Sequence, residues 1–313
     1  MDRIALGVSS CLLGNAVRYD GGQKRDCYII DTIGKAFSFL PVCPEVEAGL
    51  SIPREPMELV GDPRWPRLVV IGSTIDLTGI LSPWAGRKAR QLAKQDISGF
   101  ILKARSPSCA VDDARIAAQG RMKKGAGLFS SVLAARLPGL PVIDEERLAD
   151  PVLRENFIER VFLYRRWLAL KSQRPSLGRL VAFHSDHKLQ IMAHSLTHYA
   201  ELGRFVAHAK GKPPGKVYDT YRSLLFEGMR QIATPKKHAN VLMHVMGYFK
   251  RQLSAGYKQE LLASIENFRM GKSPLIVPVT LLKHHLHSYS DPYLQRQTYL
   301  DPDPRELLFR ASL

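Results

Sequence analysis

The chain has 313 residues, 45% hydrophobic and 24% charged, an ordinary globular composition with room for two domains at roughly 100–200 residues each. No stretch approaches the roughly 18 consecutive apolar residues of a membrane span, so no membrane partner is expected. The formal charge of +16 is uneven: residues 1–150 hold 20 Lys and Arg against 17 Asp and Glu, whereas 151–313 hold 25 against 12, with all ten histidines.

The N-terminal stretch MDRIALGVSSCLLG lacks a charged leader followed by an apolar block. It reads as a first strand, RIALGV (3–8), rather than a signal peptide, and a cytoplasmic location is expected. FSFLPV (37–42), RLVVIG (67–72), GFILKA (99–104) and PVID (141–144) are further strand-like runs. WAGRKARQLAKQ (84–95) and LFSSVLAARL (128–137) are helix-like, the second stopped by Pro138 and Gly139. Gly125-Ala126-Gly127, flanked by Lys123 and Lys124, opens that helix in the manner of a weak anion site. Strands alternating with helices predict an α/β domain with an open, mostly parallel, Rossmann-like sheet. Sites in such sheets form beyond the carboxyl ends of the strands, and Cys11, Cys43 and Cys109 each follow a strand-like run.

Residues 151–170 read as a long amphipathic connector helix, and KSQRPS (171–176) as a linker. Beyond it, apolar residues recur at spacings of three and four through 177–203, 217–232, 238–253 and 257–270, with Gly203, Gly256 and Gly271 as stop signals. The expected organisation is therefore 1–150, a connector at 151–176, and an all-α domain at 177–313.

The four cysteines, Cys11, Cys27, Cys43 and Cys109, lie in the first third of the chain. No C-x-x-C occurs, so local zinc-ribbon and ferredoxin patterns are absent, and each thiol is read either as a small buried hydrophobe or as a ligand. SSCLLG, PVCPEVEAGL and ARSPSCAV are turn-rich surroundings; KRDCYII, around Cys27, is not. Taken alone, Glu45 reads as a helix-start or salt-bridge carboxylate, and Ser106 and Ser108 as turn residues. Arg18, Tyr19, Asp20, Gly21 and Gly22 form a turn-like stretch that either shapes the loop or meets a base or ribose.

In the basic half, His184, His187, His194 and His198 fall in one predicted helix, but no H-E-x-x-H frame accompanies them, so packing or nucleic-acid contact is expected over a metal. Lys188, Lys236, Lys237, His238 and Lys250, interleaved with Tyr199, Tyr248 and Phe249, make a candidate RNA face. Tyr289, Tyr293, Arg296 and Tyr299 extend it. No complete G-x-G-x-x-G or G-x-x-x-x-G-K-[ST] pattern occurs, so no nucleotide cofactor is expected.

SSCLLGNAVRYDGG, VCPEVEAGLSIPREP and KARSPSCAV resemble the thiouracil desulfidase (TudS) family. PVIDEERLADPVLRENFIERVF is similar to the segment that closes that domain in its longer, fused members. FHSDHKLQIMAHSLTHYAELG and TPKKHANVLMHVMGYFKRQL are similar to the YbgA domain, and the pairing resembles desulfidases acting on 4-thiouridine in tRNA. The resemblance implies a [4Fe–4S] cluster held by Cys11, Cys43 and Cys109 with one open iron, Glu45 as acid/base and Ser106 as a second catalytic residue. It also implies thiolated tRNA as partner and hydrolysis of a thiocarbonyl to a carbonyl and hydrogen sulfide, while Arg18, Tyr19, Asp20 and Ser108 are candidate substrate contacts from their place beside the cysteine loops. Two alternatives stay open: a desulfidase of free thiopyrimidine bases or nucleosides, and an RNA-binding protein with a structural or redox-sensing cluster. Ala110 stands where the family pattern has glycine. Cys27 is an extra thiol, expected as a buried hydrophobe, with a fourth ligand as the alternative. The oligomeric state is open.

Overall fold

The computed structural model describes residues 3–249, 251–289 and 291–310 and divides into two units, Met1–Asp150 and Pro151–Leu313. In the first unit, β1 (Ile4–Ser9), β2 (Phe37–Val42), β5 (Gly99–Leu102) and β8 (Val142–Asp144) make one sheet in the order β2-β1-β5-β8. Every pairing in it is parallel. All four residues of β5 are buried, as befits a central parallel strand covered on both faces. A side chain at Gly7 on β1 would bring its Cβ within 2.3 Å of the Phe100 ring; only glycine lets Phe100 lie across the neighbouring strand. Phe100 meets Phe129 edge-on at 5.7 Å, and Trp84 meets Phe129 at 5.5 Å. These rings join the sheet to α3 (Thr78–Lys94) and α4 (Leu128–Arg136), which follow the short helices α1 (Gly34–Ala36) and α2 (Pro44–Glu47) and precede α5 (Glu145–Leu148).

A second sheet corrects part of the sequence reading. The run at 67–72 is not a strand of the parallel sheet: it forms β4 (Arg67–Val70), antiparallel to β3 (Met57–Val60). β3 pairs in parallel with β6 (Ala114–Ala118), which turns back into β7 (Arg121–Gly125). Gln119 and Gly120, at φ 49° and 72°, supply the two left-handed residues that a tight hairpin needs. β7, RMKKG, is almost entirely exposed, so it carries no apolar alternation to betray it.

The second unit is mostly helical, with no strand among its described residues. It comprises α6 (Pro151–Lys171), α7 (Leu177–His194), α8 (Leu196–Ala207), α9 (Pro214–Met229), α10 (Pro235–Phe249), α11 (Ala255–Arg269), α12 (Ile276–Ser288), α13 (Pro292–Gln295) and α14 (Pro304–Arg310). Residues 171–176, read as a linker, lie inside this unit, where the Ser176 side chain caps α7. The long helix α6 is buried on consecutive positions Arg154 through Glu159, so it is enclosed rather than amphipathic. The run read as one helix over 177–203 breaks at Ser195, whose hydroxyl accepts from His198 N–H and caps α8; a side-chain cap is a ready competitor for helix continuation. His198 is thus on a different helix from His184, His187 and His194. Gly203 and Gly256 lie within α8 and α11, whereas Gly271, at φ 72°, follows α11 as a true stop. One core packs Leu189, Val241, Leu242, Val245, Phe249 and Leu261 together, and Trp167 gathers Phe183, Tyr218 and Tyr221 at centroid distances of 5.7–5.9 Å. Among the described residues no helix is long and apolar enough to cross a membrane.

Candidate functional site

The parallel sheet brings the three motif cysteines to one edge. Ser9 and Val42 pair at the ends of β1 and β2, so the residues that follow leave the sheet side by side. Cys11 sits in a 3-10 turn, Ser10–Leu13, closed by Gly14 at φ 92°. Cys43 is the N-cap of the short helix α2 (Pro44–Glu47), with Pro44 at its first position. Proline tolerates that position because its missing N–H would have no helical partner there. Glu45 therefore leaves α2 from its first turn.

Cys109 lies seven residues beyond β5, in a loop built around Ser106. The Ser106 hydroxyl accepts from Ser108 N–H at 3.2 Å and Cys109 N–H at 3.1 Å. The start of α4 clasps the same loop: Gly127 N–H donates to Ala110 O, Leu128 N–H to Pro107 O and Phe129 N–H to Ser108 O, at 2.9–3.0 Å. The glycine turn read as a weak anion site thus spends its free N–H groups on loop carbonyls. A Cβ on Gly127 would lie 2.6 Å from the Ser108 carbonyl.

Cys11, Cys43, Cys109, Glu45, Ser106, Arg18 and Tyr19 all line one cavity of about 440 Å³. Burial, then the neighbouring Cys43, pushes the Cys11 thiol up to about 11. Burial likewise raises Cys43. Burial, then the Glu45 charge, holds Cys109 well above its ordinary value, with Cys11 and Cys43 adding to the effect. Among the described residues no group of three His, Cys, Asp or Glu side chains could hold a single metal ion. An iron–sulfur cluster makes a different demand, because each thiolate binds its own iron atom and the ligands stand farther apart. Three soft donors converging on one cavity fit such a group.

Sequence reasoning missed the groups that hold this site. Arg54 Nε donates to Glu45 Oε2 at 2.8 Å, and Arg54 Nη2 donates to the same oxygen. Ser108 Oγ donates to Glu45 Oε1 at 2.9 Å. Ser108 was expected to touch substrate; instead it is fully buried behind Glu45. Asp20 accepts from Gly22 N–H and faces Arg18 at the surface, outside the cavity lining, so it shapes the turn. Lys103 pairs with Glu145, and Lys24 joins the lining. Arg54 sits in the quoted IPREP stretch, but a lone arginine there gives no sign of the carboxylate it reaches. Cys27 is exposed, not buried, and it is not among the cavity-lining residues.

The candidate RNA face of the second unit is only partly at the surface. Lys236, Tyr248 and Arg296 are exposed, and Lys188, Tyr199, Tyr289 and Tyr293 are half-buried. His238 is buried against Tyr299, with Nδ1 2.9 Å from the Tyr299 hydroxyl, and Phe249 is buried in the core. Lys237 caps the chain by donating from Nζ to the carbonyls of His194 and Ile232 at 2.7 and 2.8 Å. Lys250 lies outside the described residues. His184 meets the Tyr221 hydroxyl, His187 donates to Phe183 O, and His194 meets Glu159; the three are interior packing groups.

Residues 6–145 match the model of the 2-thiouracil desulfurase family, and residues 188–304 match a family described as a protein of unknown function (DUF1722). The uncharacterized protein YbgA of Escherichia coli (strain K12) is 35% identical over 154 residues, covering 49% of this chain and 91% of YbgA. The uncharacterized protein YbbK of Bacillus subtilis (strain 168) is 30% identical over 149 residues, covering 46% of this chain and 97% of YbbK. A solved structure, a [4Fe-4S]-dependent thiouracil desulfidase TudS, is 32% identical and covers 48% of this chain and 94% of its own, at a TM-score of 0.39. The chain therefore belongs to the 2-thiouracil desulfurase family through its first unit and to the YbgA family through its second, one domain of each type fused in a single chain.

Proposed function

We propose that the chain is a [4Fe–4S]-dependent, non-redox desulfidase that converts 4-thiouridine in tRNA to uridine, with the first unit carrying the chemistry and the basic second unit supplying affinity for the RNA. The observation that carries this reading is the convergence of Cys11, Cys43 and Cys109 on one cavity with Glu45 in its wall. Cys11, Cys43 and Cys109 would hold the cluster, which would supply thiophilic Lewis-acid chemistry toward a thiocarbonyl. The reaction balances as thiocarbonyl plus water giving carbonyl plus hydrogen sulfide, so no electron donor enters. Glu45 takes a proton from the attacking water and returns one to the departing sulfide; such help is worth about 10²–10⁴-fold in rate. Ser106 shapes the Cys109 loop through its hydroxyl, and Arg18 and Tyr19 contact the pyrimidine nucleotide from the cavity wall. A stacked base must be unstacked to reach a cavity of this size, at a cost of a few kcal/mol.

A cavity lying wholly within the first unit also suits a free thiopyrimidine base or nucleoside, and this is the second reading. The test is anaerobic turnover of thiolated tRNA by the cluster-loaded protein, read as 4-thiouridine lost, uridine gained and sulfide released, beside the free nucleoside. Conversion in tRNA that falls about 10²-fold in Glu45→Gln, with iron content unchanged, is expected. Conversion of the nucleoside alone would move the assignment to the second reading. A cluster without turnover of either would leave a structural or redox-sensing role.

A further inference from the structure

Glu45 is held more tightly than a solvent-facing carboxylate needs to be. Its side chain is 12% exposed and that of Arg54 is 7% exposed. Arg54 reaches Oε2 with both Nε and Nη2. The same Nη2 donates to Val17 O at 3.0 Å, and Nη1 donates to Ser51 O at 3.3 Å. Arg54 is itself anchored, its N–H donating to Tyr19 O at 2.9 Å. One guanidinium thus joins the segment that follows Cys11 to the helix that follows Cys43, and Ser108 brings in the third cysteine loop through Oε1.

A carboxylate offers about four acceptor positions. Two on Oε2 are taken by Arg54 and one on Oε1 by Ser108, so a single acceptor position remains, on Oε1, for a water or a proton in transit. A glutamate has several rotatable bonds and loses rotamer freedom on being ordered. A carboxylate already fixed does not incur that loss during the reaction. Lysine cannot take the place of the arginine, because a single ammonium lacks the planar fork that spans a carboxylate and two carbonyls at once.

We propose that Arg54 is a positioning residue, which clamps Glu45 through Oε2 so that Oε1 alone handles the proton. This rests on the desulfidase reading above. The test uses the full-length chain as Arg54→Ala, Arg54→Lys, Glu45→Gln and the Arg54→Ala/Glu45→Gln pair. In cluster-loaded Arg54→Ala, kcat falls about 10²-fold while KM and iron content stay near wild type. Added methylguanidinium restores part of kcat in Arg54→Ala and does nothing for wild type. Arg54→Lys recovers less than the rescued Ala variant. In the cluster-free chain, the unfolding-midpoint shifts of the two single variants sum to more than that of the pair, which reports the clamp without any turnover. Wild-type kcat in Arg54→Ala overturns the proposal. So do additive midpoint shifts, or a loss of iron together with turnover that methylguanidinium cannot reverse. A wild-type protein without turnover defeats the desulfidase reading instead, and the unfolding cycle still decides the clamp.

Discussion

Residue identity at the site divides into groups that face the cavity and groups that hold them. Glu45 faces it; Ser108 holds Glu45 from behind, fully buried and donating at 2.9 Å. A hydrogen bond to a charged group contributes about 1.5–3 kcal/mol. Ser108→Ala is expected to lower the unfolding midpoint of the first unit and to cut kcat about tenfold, measured with iron content matched to wild type. Unchanged turnover would place Ser108 outside the machinery. The convergence of Cys11, Cys43, Cys109 and Glu45 on one cavity was legible because each stands in a distinctive local run. Arg54, Lys24 and Lys103 were not, because their roles come from loops meeting at the sheet edge, and charge on a loop has no sequence period. Cys27 was misjudged for another reason: the general burial of free thiols outweighed its charged neighbours Lys24, Arg25 and Asp26, the first two of them exposed as it is.

Element placement depends on close backbone approaches that glycine permits. Gly127 lets the start of α4 clasp the Cys109 loop, and a methyl there would press on the Ser108 carbonyl at 2.6 Å. Gly127→Ala should destabilise the first unit by about 1–3 kcal/mol and reduce the iron retained after reconstitution, measured by denaturation and iron assay. Full iron and wild-type stability would show that the loop does not depend on this clasp. In the second unit, burial holds His184 down to about 4 and His187 to about 3. Both rings are neutral in the fold, whereas the unfolded chain takes up protons near 6.5. Below that value the unfolded state binds more protons, so stability falls as pH drops from about 6.5 toward 4. Replacing both histidines with Gln should flatten denaturation midpoints across that window. The parallel strands were readable as continuous apolar runs, and the helices as periodic ones. The second sheet was not readable, since β7 is exposed and β3 has only four residues. The break at Ser195 was hidden because the apolar periodicity runs through it.

At the scale of the whole chain, the proposed tRNA substrate draws on the contrast between a first half of +3 and a second half of +13. Lys and Arg that meet phosphates release counterions, so affinity falls steeply with salt. KM for thiolated tRNA should rise steeply between 50 and 200 mM salt, by orders of magnitude if roughly six phosphates are met, while KM for the free nucleoside stays nearly flat. Equal salt dependence for both would detach the basic unit from substrate binding. Lys236 and Tyr248 remain surface candidates for the contact, and His238 and Phe249 are core groups whose loss should lower stability first. Composition could reveal the charge, but only the fold separates basic residues at the surface from histidines inside.

The most direct test of the three-thiolate site is anaerobic reconstitution of Cys11→Ala, Cys43→Ala, Cys109→Ala and Cys27→Ala, each assayed for iron and for conversion of 4-thiouridine to uridine in tRNA. Loss of both iron and conversion in the first three, with Cys27→Ala equal to wild type, is the predicted result. Retained conversion in any of the first three, or its loss in Cys27→Ala, would contradict it.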